Sequence, residues 1–167
     1  FQFEVLTTYF NDGNRKPQRS SYNNAHAYLS APYGIYKTSN GYIAIAMTPL
    51  PQLGELLDLN SIKDLYDQKE WFTKRDEIKK QIGDWIEKET TEHWLSILEP
   101  ADIWCAKVLD WETMVKHEGF KILDMVQRIK RDDGLDIETL RCPIKIDGDI
   151  FKSSKAAPKI GNDNNSI

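Results

Sequence analysis

The 167 residues include 22 lysines and arginines against 26 aspartates and glutamates, a formal net charge of −4 at neutral pH. Such a chain has no net positive field to draw it to a phosphate backbone or an anionic membrane, which disfavours nucleic-acid coating. Apolar residues at 40% and aromatic residues at 11% suffice to fill a core, so global disorder is excluded and one domain, or a piece of one, is expected.

In chain order, Phe3, Leu6 and Phe10, with Val5 and Tyr9 beside them, repeat at helical spacing until Asp12-Gly13. This predicts an amphipathic helix already under way at residue 1, with no partner for its apolar face in its own segment. From Asn14 to Pro32 the chain is polar and broken by Pro17 and Pro32, a long connector of the kind that is functional or disordered. Tyr33–Tyr36 and Tyr42–Met47 flank a turn in which Asn40-Gly41 would take positive φ, which predicts a β-hairpin. Pro49 and Pro51 end it, and short helices follow around Leu53–Leu57 and Ile62–Tyr66.

Thr73 is expected to cap a helix over Lys74 to Glu89, with Ile78, Ile82, Trp85 and Ile86 on one stripe, because its hydroxyl could accept the first free amide hydrogens. Thr90 or Thr91 opens the next helix, with Trp94, Leu95, Ile97 and Leu98 inward and Pro100 terminating it. After the apolar run Ile103-Trp104-Cys105, Asp110 caps a third helix that Gly119 closes. Met125–Arg131 and Ile137–Ile146 are strand candidates joined across Asp132-Asp133-Gly134, and Asp147-Gly148 turns the chain again. Helices between two β-rich ends, with no βαβ alternation, give an α+β expectation with a small antiparallel sheet.

Little in this pattern is catalytic. No G-x-S-x-G, glycine-rich phosphate cradle or HExxH frame occurs, and His26, His93 and His117 have no metal-ligand spacing. His93 reads as a surface or boundary residue. Cys105 and Cys142 have no CxxC or CxxH companion, so reduced, partly buried thiols are expected and no zinc site or disulfide framework. Asp132-Asp133 and Asp147 with Asp149 sit at turns, where aspartate bonds nearby amides. Asp163 among Asn162, Asn164 and Asn165 lacks the glycine and terminal glutamate of a calcium loop. Neither a catalytic nor a metal-binding residue is therefore assigned. The tyrosines of the connector, Tyr22, Tyr28 and Tyr33, could line a ligand mouth or pack on the hairpin.

No apolar run, Tyr42 to Met47 included, approaches the ~18–20 residues of a membrane span, and no leader pattern opens the chain. A soluble segment without a membrane partner is expected. The first helix begins without a methionine and the Asn-rich end has no closing element, so the segment is expected to belong to something longer.

Three segments in order carry a family resemblance. Ala31-Pro32-Tyr33-Gly34-Ile35-Tyr36 followed by Asn40-Gly41-Tyr42-Ile43-Ala44-Ile45-Ala46 is the first. Trp94-Leu95 to Leu98-Glu99, then Ile103-Trp104-Cys105-Ala106-Lys107-Val108 and Met114-Val115, is the second. Cys142-Pro143-Ile144-Lys145-Ile146-Asp147-Gly148 with Ala157-Pro158-Lys159-Ile160-Gly161 is the third. Together these resemble the family III CoA-transferases, also called the L-carnitine dehydratase/bile-acid-inducible protein F (CaiB/BaiF) family.

The resemblance implies the small α+β domain of a two-domain, cytoplasmic protein that forms interlocked homodimers. Residues 1–32 would be a helix and connector from the large domain, 33–150 the small domain, and 151–167 the return. It implies no tightly bound cofactor, with CoA and acyl-CoA as substrates of the whole protein, and a catalytic aspartate of the large domain that forms mixed-anhydride and thioester intermediates. That aspartate would lie outside this segment, leaving it inert alone, with its CoA contacts undefined. Tyr28, Ser30 and Tyr33 become candidates for a lid near the acyl group.

Departures qualify the match. Trp104 and Lys107 stand where the family usually has prolines, and Asn162-Asp163 replaces a Glu-His pair. Ala25 to Ala31 lacks the glycines of the mobile loop some members carry, and Leu50 before Pro51-Gln52 replaces the acidic residue of the family's racemases, favouring transferase. Racemase or dehydratase-like activity and a non-catalytic binding or assembly module are the alternative readings.

Overall fold

The computed structural model describes residues 3–22, 26–131, 133–161 and 164, with the side chains of Phe3 and Glu4 left aside. The chain divides into two compact units, Phe1–Val108 and Leu109–Ile167.

The first unit opens with helix α1 (Phe3–Asn11), where Leu6 and Phe10 remain exposed. The connector has no helix or strand among its described residues, yet it is tied down. The Arg75 guanidinium donates to the Gln18 carbonyl at 2.7 Å, and the Ser21 amide and hydroxyl donate to the Asp76 carboxylate. A bond from Ser20 first, and then those from Ser21, hold the Asp76 carboxyl below its ordinary range.

Strands β1 (Gly34–Thr38) and β2 (Gly41–Ile45) form the hairpin, with Ile35 opposite Ala44 and Thr38 opposite Gly41. The turn is therefore Ser39-Asn40, one residue earlier than the sequence suggests, and neither Asn40 nor Gly41 takes positive φ. Asn40 is used differently. Its Oδ1 accepts the Thr91 amide at 2.9 Å and its Nδ2 donates to Glu92 at 2.7 Å. The hairpin tip is thus fixed to the start of a helix distant in sequence.

Helices α2 (Leu50–Leu56) and α3 (Asn60–Lys63) follow, with Pro51 inside the first turn of α2, where its missing N–H costs nothing. Helix α4 (Gln68–Thr73) has no clear periodic signature. It corrects the expected Thr73 cap: Thr73 ends α4 and its hydroxyl donates back to the Lys69 carbonyl, while α5 (Arg75–Ile86) starts without a side-chain cap. Helix α6 (Thr91–Leu98) is capped by Thr90, whose hydroxyl accepts the His93 amide.

Strand β3 (Cys105–Lys107) joins the hairpin antiparallel, giving the order β1-β2-β3 with Ala44 opposite Ala106. The inner sheet face contributes Tyr36, Ile43 and Ile45 to a core completed by Leu50, Leu53 and Ile62, by the Ile78-Ile82-Ile86 stripe of α5, and by Trp94, Leu98 and Ile103. Three indoles are buried or half-buried with their N–H satisfied by a carbonyl at the end of another segment: Trp71 on Leu65, Trp85 on Leu57, Trp94 on Ile86. An aromatic body in the core with its donor paired is the low-cost way to bury tryptophan. Tyr36 does the same through the Pro32 carbonyl at 2.6 Å, and burial drives its phenol pKa far up.

The second unit holds α7 (Trp111–Lys116), α8 (Glu118–Leu123), the hairpin β4 (Val126–Lys130) with β5 (Asp136–Leu140), and the small hairpin β6 (Lys145–Ile146) with β7 (Asp149–Ile150). Asp110 caps α7 as expected, accepting the Thr113 amide at 2.7 Å. Gly119 does not close the helix. The chain breaks at His117, whose Nδ1 accepts the Gly119 amide, and Gly119 lies inside α8. Among the described residues of this unit the one buried side chain is Arg141, and Ile122, Leu140, Ile144 and Ile146 are exposed.

Left-handed backbone outside glycine falls on Asn14, Asp58, Asp102, Asp124 and Asp147. These residue types tolerate positive φ through local side-chain bonding. At Asp58 and Asp102 they close helices: the Leu59 amide reaches the Gly54 carbonyl, and the Ile103 amide that of Leu98. This is the Schellman pattern, more often built with glycine.

Candidate functional site

Alternation along the hairpin sends Tyr36, Ile43 and Ile45 inward, so the opposite sheet face carries Ile35, Ala44 and Ala106 on one cross-strand rung. Side by side, two alanines leave a depression between larger neighbours. An open groove of about 760 Å³ forms there, floored by Gly34, Ala44, Ala46 and Ala106 and walled by His26, Tyr33, Ile35 and Trp104. Trp104 is 74% exposed, and its carbonyl accepts the Ala46 amide at 2.8 Å, which sets it at the sheet edge. Glu99 and Asp102, from the turn between α6 and β3, also line the groove.

The three lid candidates are not gathered in one place. Tyr33 lines this groove. Ser30 borders a cleft with Met47, Pro49 and Trp71, and Tyr28 a hollow with Phe72 and Arg75. His26, which no motif singled out, joins Tyr33 in the groove wall. Tyr22 is half-buried.

Of the cysteines, Cys105 is half-buried in the groove lining, whereas Cys142 is exposed rather than partly buried; both are free. Burial, then the Glu99 charge, pushes the Cys105 thiol pKa up, so a reactive thiolate is not favoured there. His93 is exposed, edge-on to the Trp94 ring at 4.9 Å. Asp133 acts as a turn residue, its Oδ1 accepting the Leu135 amide. Asp132 and the Asn162-Asp163 pair lie outside the described residues. Among the described residues no group of three or more His, Cys, Asp or Glu is placed to hold a metal, and no helix is long and apolar enough to cross a membrane.

The hairpin that carries the groove is braced from below. Thr38 and Thr91 hydroxyls meet at 2.7 Å, and Glu92 receives both Asn40 and the Lys107 ammonium at 2.7 Å. These bonds, Lys107 first, pull the Glu92 carboxyl down to about 2. A depressed carboxylate contributes stability that is present above its ordinary value of 4.5 and is lost as pH falls through about 2. Glu92→Gln is therefore expected to be less stable than the parent near pH 6, with the difference closing by about pH 2. Acid titrations of unfolding for both proteins check this, and a constant difference across that window would refute it.

Residues 2–164 match the model of CoA-transferase family III. The chain belongs to that family. Among solved structures it is similar to a CAIB/BAIF family protein from Brucella suis, at 20% identity and a TM-score of 0.64, covering 99% of this chain and 43% of that one. It is also similar to Rv3272 from Mycobacterium tuberculosis, at 17% identity and a TM-score of 0.62, covering 99% and 42%. The chain thus spans less than half the length of these family structures. None of the curated proteins compared with it matches. Family membership and the α+β architecture follow; at these identities the solved structures speak to fold alone.

Proposed function

We propose that this chain is the small domain of an acyl-CoA transferase that moves CoA between carboxylic acids, and that the Tyr33 groove forms the wall facing the acyl group. The observation that carries the reading is a family match over residues 2–164 in a chain covering only 42% to 43% of the solved relatives' length. On this reading the nucleophilic aspartate belongs to the large domain. The chain alone supplies shape and no catalytic nucleophile, consistent with a groove whose thiol is held protonated. Residues 1–32 and 151–167 are the proposed passages to and from the large domain, and 33–150 the small domain proper.

Tyr33 contributes a phenol at the groove edge. Tyr28 and Ser30 lie outside the groove on the same segment, which is anchored where the Ala31 amide donates to the Trp71 carbonyl at 3.0 Å. The apolar side chains exposed on the second unit support burial against the rest of a homodimer, and the proposed location of that dimer is the cytoplasm.

The test uses the full-length protein with an acyl-CoA donor and a panel of carboxylic acids. The expected result is exchange, in which the donor leaves as its free acid and the acceptor appears as its CoA thioester. CoA binding without exchange would overturn the transferase reading. Exchange of the α-proton without CoA transfer would replace it with a racemase.

A further inference from the structure

We infer that Glu99 and Asp102 make the groove a charge filter that admits acyl groups lacking a second carboxylate and turns away those derived from dicarboxylic acids. This rests on the reading of the groove as the acyl-facing wall. Glu99 and Asp102 are both exposed residues of the groove lining, where the other titratable neighbours are His26, Tyr33 and Cys105 and no lysine or arginine is present among the described lining residues. Among the described residues neither carboxylate enters an ion pair. Apart from His26 and Tyr33 the rest of the lining is small or apolar, so an acyl tail loses little on entry if it is neutral and meets two acidic residues outside any ion pair if it is not.

The main chain of the turn that carries them is held in place. The Asp102 amide donates to the Glu99 carbonyl at 3.0 Å and the Ile103 amide to the Leu98 carbonyl at 3.1 Å, while Leu98 and Ile103 are buried. The backbone of the turn is therefore clamped by the core, which keeps both side chains rooted at the groove. Glu99 already acts within the groove, since its charge adds to the burial that raises the Cys105 thiol.

Butyryl-CoA and succinyl-CoA, matched in chain length and differing in one terminal carboxylate, are the probes, with one common acceptor acid and the full-length protein. The kcat/KM ratio is expected to favour butyryl-CoA, and the double variant Glu99→Gln, Asp102→Asn to shift that ratio towards succinyl-CoA on the order of tenfold. Asparagine is chosen at 102 because it tolerates the left-handed φ of 58° there. An unchanged ratio in the double variant, or a succinyl-CoA preference in the parent, overturns the filter while leaving the transferase reading intact. Absence of transfer from every donor overturns the transferase reading, and the filter with it. Equal thermal stability of parent and variant assigns the ratio change to charge rather than misfolding.

Discussion

Gly54→Ala is expected to destabilise the first unit by roughly 3 kcal/mol, the scale of a severe overpacking change, although in an open helix interior the same substitution gains up to about 1 kcal/mol. The reason is the crossing of α2 and α3. A Cβ on Gly54 would lie 2.6 Å from the Lys63 nitrogen and 2.8 Å from its Cα. Those are backbone atoms, so no rotamer change relieves the clash. Separating the helices would strain the bond from the Leu59 amide to the Gly54 carbonyl and open the packing of Leu53 and Ile62, both fully buried.

Gly83 in α5 supplies the internal contrast, since its nearest neighbour would be Tyr36 Cδ1 at 3.8 Å, an ordinary contact. Gly83→Ala should raise the unfolding temperature and Gly54→Ala lower it by roughly 6–12 °C, taking about 2–4 °C per kcal/mol at this size. Thermal unfolding followed by circular dichroism decides the matter. Two shifts of the same sign would show that the helix crossing is looser than described.

Arg141→Met should cost the second unit about 3 kcal/mol, because it strands desolvated carbonyl groups, each at about 1–3 kcal/mol. Arg141 is 3% exposed. Its Nε donates to the Asp124 carbonyl at 2.7 Å, its Nη1 to Cys142 at 2.6 Å and its Nη2 to Leu123. Leu123 ends α8 and Asp124 follows in the left-handed conformation, so the guanidinium covers acceptors at the negative end of that helix. The backbone amide of Arg141 donates to Met125 at 2.9 Å, extending the β4–β5 ladder beside the same corner.

Three carbonyls in different directions suit a planar fork of donors. A lysine offers one point charge and should restore less than half of the loss. Asp124, held low by Lys152 first and Arg141 second, should titrate higher in the methionine variant. Hydrogen exchange is expected to show lost protection in β4 and β5 with α5 unchanged, and full protection in the methionine variant would contradict the role assigned to Arg141.

The legible parts of the fold were those specified by local chemistry. The stripe of Ile78, Ile82 and Ile86, the Thr90 and Asp110 caps, and the Asp147-Gly148 reversal follow from spacing and short-range bonding. What escaped reading was decided at a distance. The hairpin turn sits at Ser39-Asn40 because the Asn40 amide is committed to Thr91 and Glu92, some fifty residues on. Thr73 bonds backwards to Lys69 rather than forwards, and β3 exists only because Ala106 and Cys105 find Ala44 and Ile45. The groove was hidden for a different reason: its floor is alanine and glycine, which carry no chemical signature, and its carboxylates look like any acidic turn. Of the lid candidates, Tyr33 reached the groove. Tyr28 and Ser30 line other hollows, Tyr28 against Phe72 and Arg75 and Ser30 against Gln68 and Trp71.

Every buried apolar side chain among the described residues belongs to the first unit, while the second encloses an arginine. Apolar exposure raises the heat capacity of an unfolding chain and polar exposure lowers it. The curvature of stability with temperature is therefore expected to come mainly from the first unit, which should weaken on cooling as well as heating. The second unit, whose apolar side chains are at most half-buried and whose buried group is a guanidinium, is expected to have a shallower temperature response than the first.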